Sequence, residues 1–323
     1  MLIAGSDDGL YRLEGVLAAG AASVEQVLES DRVKRVRSFD GIDGVFAATA
    51  SGLYHSTDLS EWTDLGVPRE RVYAVAAGAD GDCLYAGTRP AHVYTAALTE
   101  PDAPRGPLEW RELEGFQDLP SRNEWRLPRH ENLAQVRDIH VHPDAPDCVV
   151  AGVEVGGVHV SEDRGDTWTE RRSGMQDDVH ELHLVGPSVF VAATGFGLFR
   201  STDAGRSWTR LDEGLDQRYF RSAFSHEGTL YAGAALANSS TWDDPDADPA
   251  FFVSQDGETL EAVDHPRPDE TITGITALDG QVVAATHRGT VLVEAGGEWS
   301  VAGTFPTPGD VTGTYTPLCP SAE

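Results

Sequence analysis

Lysine is almost missing from this chain. Of 24 basic residues one is lysine (Lys34) and the rest are arginine, against 53 Asp and Glu, for a formal net charge of −29. That deficit of cations excludes the basic face that a phosphate backbone requires, so nucleic acid is not expected as a partner. An acidic, nearly lysine-free surface is what a protein working in molar salt shows, because carboxylates hold water when screening has removed most repulsion. The composition therefore points to a halophile that keeps salt in its cytoplasm. Cysteine is scarce as well: Cys83, Cys148 and Cys319 have no metal-ligand or redox spacing, and three cannot all pair. Reduced thiols are expected. No apolar run approaches the length of a membrane span, and Met1-Leu-Ile-Ala-Gly5 reads as a strand, not as a signal peptide. A cytoplasmic location and no membrane contact follow as expectations. No glycine-rich turn leads into a helix, so no phosphate cradle and no cofactor are expected.

What the chain does contain is a repeat. A short apolar strand, Ala-Ala or Ala-Gly, a polar turn with Gly and an apolar-aromatic strand recur at 2–13, 45–58, 84–96, 149–163, 189–203 and 282–293. A stretched seventh copy begins at 230–236 and ends at 251–256. Each hairpin except the first is preceded by one more alternating strand, at 35–39, 71–76, 136–142, 179–185, 219–225 and 271–278. Most are followed by a polar-aromatic outer strand such as 61–65, 109–113, 167–172 or 207–212. The unit is four strands, A to D, with period-2 alternation and Gly/Asp turns. The first hairpin lacks an A strand, and the segment 310–317 has the pattern of one without a hairpin after it. Joining the two closes a ring and removes the exposed sheet edges. The expected fold is all-β: one seven-bladed β-propeller over 1–323, built of four-stranded antiparallel blades and closed by its C-terminal strand.

Two octapeptides a blade apart, Ser161-Glu-Asp-Arg-Gly-Asp-Thr-Trp168 and Ser201-Thr-Asp-Ala-Gly-Arg-Ser-Trp208, share the pattern S-x-D-x-G-x-[ST]-W. The Asp accepts from turn N–H groups, the Gly supplies a positive φ, and the Trp packs on the sheet. With degraded copies at Ser56-Thr-Asp58…Trp62 and Ser254-Gln-Asp256-Gly257, the chain resembles the Asp-box (BNR-repeat) propellers, a superfamily that includes sialidases, glucanases, sortilin-type receptors and a photosystem assembly propeller. The segment 122–168 is similar to prokaryotic BNR-repeat, glycosyl-hydrolase-like proteins. The resemblance speaks for the fold over nearly the whole chain and says little about activity. Its sialidase branch implies an arginine triad, a Tyr–Glu nucleophile pair and an Asp acid. Arg37, Arg137 and Arg221 offer the arginines, and Tyr73 and Glu154 offer the pair. The early F/Y-R-I/L-P motif is missing; Arg126-Leu-Pro128 stands mid-chain instead.

The octapeptides belong to C-to-D turns. D-to-A and B-to-C connections emerge on the opposite face, around the channel mouth, and two insertions (about 98–135 and 236–250) are expected to crown it. Inserted loops on a rigid scaffold are where function concentrates. Aligning the A strands gives one polar residue per blade at the channel: Arg37, Tyr73, Arg137, His180, Arg221, Thr273 and Thr312. Arginine forks there suit a carboxylate, phosphate or sulfate, and mutual ion pairing is the competing reading. Arg89, Glu154, Phe196, His287 and Arg288 stand nearby in B-to-C turns. Trp125, Arg126, Arg129 and His130 in the first insertion are candidates for a protein contact, since Trp and Arg dominate contact energetics; packing as a lid over the channel is the alternative. His140-x-His142 is too small a set for zinc, and the Asp243–Asp248 run lacks a calcium-loop spacing, so no metal is expected. Two functions stand open. One is a ligand- or protein-binding scaffold for an anionic small molecule, a carbohydrate or a protein partner. The other is a sialidase-like hydrolase of an anionic sugar.

Overall fold

Seven four-stranded antiparallel sheets stand around a central channel in the computed structural model, which describes residues 1–18, 20–98, 104–129, 131–309 and 315–321. Blade 1 is Leu318–Pro320, Leu2–Gly5, Gly9–Glu14 and Ser23–Glu29, and blade 2 is Val33–Phe39, Ile42–Thr49, Gly52–Ser56 and Thr63–Asp64. Blade 3 is Val72–Ala77, Cys83–Thr88, Val93–Ala97 and Arg111–Glu112, and blade 4 is Gln135–His142, Ala145–Glu154, Gly157–Ser161 and Thr169–Glu170. Blade 5 is Val179–Gly186, Val189–Thr194, Gly197–Ser201 and Thr209–Arg210, and blade 6 is Tyr219–His226, Thr229–Ala235, Ala250–Ser254 and Glu261–Ala262. Blade 7 is Ile272–Leu278, Gln281–Thr286, Thr290–Ala295 and Glu298–Thr304. The first-named strand of each blade, its A strand, touches the A strands of both neighbours, so these strands line the channel.

Alternation makes the core. Each B strand buries one face against the blade before it and the other against the blade after it. Its small residues (Ala47 and Ala48, Ala86, Ala151, Ala192 and Ala193, Ala284 and Ala285) let the sheets approach. Every joint between neighbouring blades holds its own apolar cluster: Ile3, Leu10, Val36 and Val45 join blades 1 and 2, and Leu2, Leu13, Val283 and Val291 join blades 7 and 1. An eighth cluster, Tyr219, Ala235 and Trp242 with Tyr315 against it, lies apart from the joints.

The ring closes as expected, but a few residues further along. Leu318–Pro320 pairs with Leu2–Ala4, whereas 310–314 lie outside the described residues and Tyr315–Pro317 lead into the strand. The physical reason is burial on two sides: Leu318 enters the joint with blade 7, and Cys319 enters the joint with blade 2.

The octapeptide turns form a tight polar knot. Ser161 Oγ accepts from Gly165 N–H at 2.7 Å, and Asp163 accepts from Thr167 N–H at 2.8 Å and from the Thr167 hydroxyl at 2.6 Å. Ser201, Asp203, Gly205 and Ser207 repeat the pattern. Gly165 and Gly205 have φ of +100° and +79°, and the residues before them, Arg164 and Ala204, are left-handed too. Two indoles also bind between blades, Trp208 Nε1 donating to Arg171 O of blade 4's outer edge at 2.7 Å and Trp62 Nε1 to Val27 O of blade 1 at 2.9 Å, while Trp168 Nε1 donates to Gly165 O of its own turn at 2.9 Å.

The strand Arg111–Glu112 divides the first insertion. The part before it is a C-to-D connection, beside the octapeptide rim, and only the part after it, up to Ala134, is a D-to-A connection. Trp125 anchors that second part, buried against Phe116 and His159, with its Nε1 donating to Ser121 Oγ at 2.9 Å. Trp242 anchors the other insertion in the same way, against Tyr219, His287 and Tyr315.

Candidate functional site

One irregularity recurs in the A strands. Six of them slip by one residue against their B strand, and the unpaired residues are Lys34, Tyr73, Arg137, His180, Arg221 and Thr273. A β-bulge leaves its extra residue out of the ladder and re-aims the side chain. Here it builds a ring at the channel mouth. Thr273 Oγ1 lies 2.6 Å from Thr316 Oγ1, which puts Thr316 at the place of blade 1. The ring therefore contains five of the aligned residues and corrects the alignment at both ends. Blade 2 contributes Lys34, not Arg37, because its A strand starts at Val33, ahead of the expected 35–39. Blade 1 contributes Thr316; Thr312 lies outside the described residues.

Arg37 belongs to a second, deeper layer. There one carboxylate, Asp138, takes Arg35 Nη2 at 3.0 Å, Arg37 Nη2 at 3.3 Å, His140 Nε2 at 3.2 Å and Leu182 N–H at 3.2 Å. Arg35 also reaches Glu181 at 3.0 Å, and Glu181 meets Arg221 at 3.7 Å. Burial raises the Asp138 carboxyl, but Arg35, His140 and Arg37 outweigh it and hold the group well below the usual carboxylate range. This layer is an ion-pair network that spans the channel. A void of about 20 Å³, lined by Lys34, Arg37, Glu181 and Arg221 among others, is the space left beside it.

The ring layer is different. Lys34 Nζ lies 5.0 Å from the centroid of the Tyr73 ring, the Arg137 guanidinium 5.7 Å and the Arg89 guanidinium 5.8 Å. Arg137 and Arg221 also stack on Tyr315, at 4.8 and 3.7 Å. Glu154 lies 3.4 Å from Arg137 Nε, but among the described residues no carboxylate comes within ion-pairing distance of Lys34 or Arg89. Burial first, then the cations Arg32, Arg137 and Arg89, push the Lys34 ammonium well below its ordinary value, against a smaller pull upward from Asp7. Burial and then Arg137 lower Arg221 to about 10. Burial drives the Tyr73 phenol up despite Arg89 and Arg137. Four cations are thus crowded at one mouth of a chain that is otherwise strongly acidic.

Beside them, Glu154 ends the B strand of blade 4, Asp178 precedes the A strand of blade 5, and His180 is that strand's bulge residue. His180 is fully buried and Glu154 is 4 % exposed. Arg137 and Arg221 are buried as well, under Tyr315, which itself packs against Trp242. Of the proposed contact residues, Trp125 is buried, with Arg122 5.0 Å above its ring, so it anchors the insertion and offers no surface. Arg126 and Arg129 are exposed, and His130 lies outside the described residues. His287 and Arg288 hold Asp243 of the second insertion, which accounts for the first carboxylate of that acidic run. Phe196 and Leu236, on the B-to-C connections of neighbouring blades 5 and 6, are exposed apolar residues on this face.

Sequence reasoning missed Lys34, Arg35, Asp138, Asp178, Glu181 and Tyr315. Only Lys34 carried a signal, as the one lysine of the chain and a member of an A strand.

No protein-family model matches the chain, and no curated protein sequence does. Solved structures match its fold. A Niastella koreensis GH74 enzyme superposes with a TM-score of 0.61 at 14% identity, over 83% of this chain and 45% of that one. The GH74 xyloglucanase from Xanthomonas campestris gives 0.57 at 17% identity, over 83% and 45%. A YCF48 structure with a bound D1 peptide gives 0.55 at 14% identity, over 83% and 81%. The chain spans less than half the length of these GH74 proteins. Its class is that of the seven-bladed β-propellers; at such identities the likeness shows the fold alone.

Proposed function

We propose that this propeller, of the Asp-box type, is a binding module that takes an anionic group at the insertion-bearing mouth of its channel. The observation that carries the proposal is the set of three cations around one tyrosine ring, two of them with no carboxylate in ion-pairing distance among the described residues. Like charges held together in a partly desolvated place repel, and an incoming carboxylate, phosphate or sulfate relieves that repulsion. The anion is carried by a sugar, another small molecule or a protein segment; exposed Phe196, Arg126 and Arg129 on the same face suit a larger partner. A propeller of the same fold has been solved with a peptide bound. We place the module in the cytoplasm of a salt-accumulating cell.

A hydrolase acting on an anionic sugar, as the GH74 enzymes among the neighbours invite, is less well supported. Tyr73 is buried under cations with its phenol harder to ionise than usual, the reverse of an activated nucleophile. Glu154 is buried and already bonded to Gln135 at 2.7 Å.

The test is a thermal-shift screen in molar KCl with sialic acids, uronic acids, sugar phosphates and sulfate, on wild type and Lys34→Met. A ligand at one hundred times its Kd stabilises by about 2.7 kcal/mol, and the variant should fold at least as well yet lose that shift. A shift with no ligand, or one that survives the substitution, removes the cation cluster from consideration.

A further inference from the structure

Three of the mouth's side chains are arranged as ligands. One donor atom each from Glu154, Asp178 and His180 lies within 4.8 Å of the other two. His180 Nδ1 is 2.8 Å from Phe220 O. A carbonyl only accepts, so Nδ1 carries a proton, and in the neutral ring Nε2 is then a bare lone pair. Among the described residues that atom is buried without a hydrogen-bond partner, and so is Asp178 Oδ1, 3.6 Å away. Two carboxylates and an imidazole lone pair therefore converge with nothing among the described residues to accept their electrons. Most buried polar atoms are hydrogen-bonded, and a bound ion is one of the things that completes those that are not.

We propose that Glu154, Asp178 and His180 form a site for one divalent transition-metal ion, of which Zn²⁺ is the best match to a mixed imidazole and carboxylate set. Metal bonds of about 2.0–2.2 Å set ligand atoms about 3–4 Å apart. The His180–Asp178 separation is already in that range, and the widest edge of the triangle needs only a small inward movement. The surroundings are those of a supported metal site. The second nitrogen of His180 is tied to a backbone carbonyl, as it is for most metal-bound histidines. Gln135 Nε2 and Arg137 Nε both lie on Glu154 Oε2, which fixes the carboxylate and leaves Oε1 with its lone pairs. Gly195 is shaped to Asp178: a Cβ there would run into Oδ2. Three protein ligands leave positions for water or for an anion. The bound charge would also stand beside the arginine ring and add to its attraction for anions. The site rests on its own geometry and does not require the anion-binding reading.

The experiment uses the full chain, stripped with chelator and returned to molar KCl. Zn²⁺ is titrated by calorimetry, metal content is measured after dialysis, and Co²⁺ is added separately to read its visible bands. Wild type should take up one ion per chain. Asp178→Asn and Glu154→Gln, which keep shape and remove charge, should each weaken uptake at least about tenfold, the loss that even an outer-shell change brings. His142→Ala, at the far end of the blade 4 A strand, should leave it unchanged. Absence of saturable uptake in wild type, which is the outcome if a proton on Nε2 fills the gap, overturns the proposal. Uptake that both carboxamide variants retain overturns it as well. Neither result bears on the Lys34 screen, which is run with chelator present.

Discussion

Replacing Asp138 by Asn tests the deeper layer most directly. The carboxylate is almost fully buried and receives Arg35, Arg37, His140 and the Leu182 amide. Its removal as a charge leaves Arg35 buried with only Glu181, which Arg221 also approaches. Breaking one partner of a buried ion pair costs about 3–5 kcal/mol. Unfolding entropy near about 2.1 cal/mol/K per residue, over a chain of 323 residues, gives about 0.7 kcal/mol/K. The variant should therefore melt about 4–7 °C below wild type in a calorimeter. Because the pairs are buried, the difference should persist in molar KCl, where surface pairs are screened away. Its pH dependence has a definite sign. The folded Asp138 carboxyl lies below its unfolded value. The stability it contributes is thus complete above pH about 4 and is lost as pH falls further, so the two melting curves should converge in acid. A shift under about 2 °C at neutral pH, or one that disappears in salt, would falsify the reading of this layer as a buried network.

Two further outcomes are expected. Burial lowers the His159 imidazole to about 3, so the folded protein excludes a proton that the unfolded chain accepts; this group should remove about 1.4 kcal/mol of stability per pH unit from pH about 6.5 toward about 3, and in urea titrations His159→Phe should lessen the slope by that amount while His183, lowered in the same way, keeps its own share. Trp208→Phe removes the donor to Arg171 O and leaves a carbonyl at the blade joint without its partner; a loss of about 1–3 kcal/mol is expected in the urea midpoint, and an unchanged midpoint would show that the indole serves by packing alone.

The fold was legible because its signals are local. Alternation, Ala-Gly hairpins and the octapeptide turns each specify a strand or a turn from neighbours in sequence, and their repetition yields the blade count. Legibility failed where the exact start of a strand matters. The A strand of blade 2 begins at Val33, ahead of the stretch 35–39 that its alternation marks, so Arg37 was aligned where Lys34 stands. The closing strand was placed on 310–317 because Thr alternation resembles a strand, while the burial of Leu318 and Cys319 in two joints is visible only in three dimensions. Asp138, Asp178 and Glu181 were invisible for another reason. Among 53 acidic residues nothing in the sequence marks three that turn inward, and the roles of Asp138 and Glu181 depend on arginines from other blades.

The repeated bulge also separates two tasks that most strand positions must share. A residue inside the ladder contributes to pairing and to the face it presents, so changing it disturbs both. The six bulged residues are exempt from pairing. Each is a side chain on a platform that its own identity does not hold up, which is why lysine, tyrosine, arginine, histidine and threonine all occupy the same place. The channel mouth is in effect a set of interchangeable sockets: evolution or design can rewrite what it recognises, one socket at a time, while the barrel of strands behind it stays as it is.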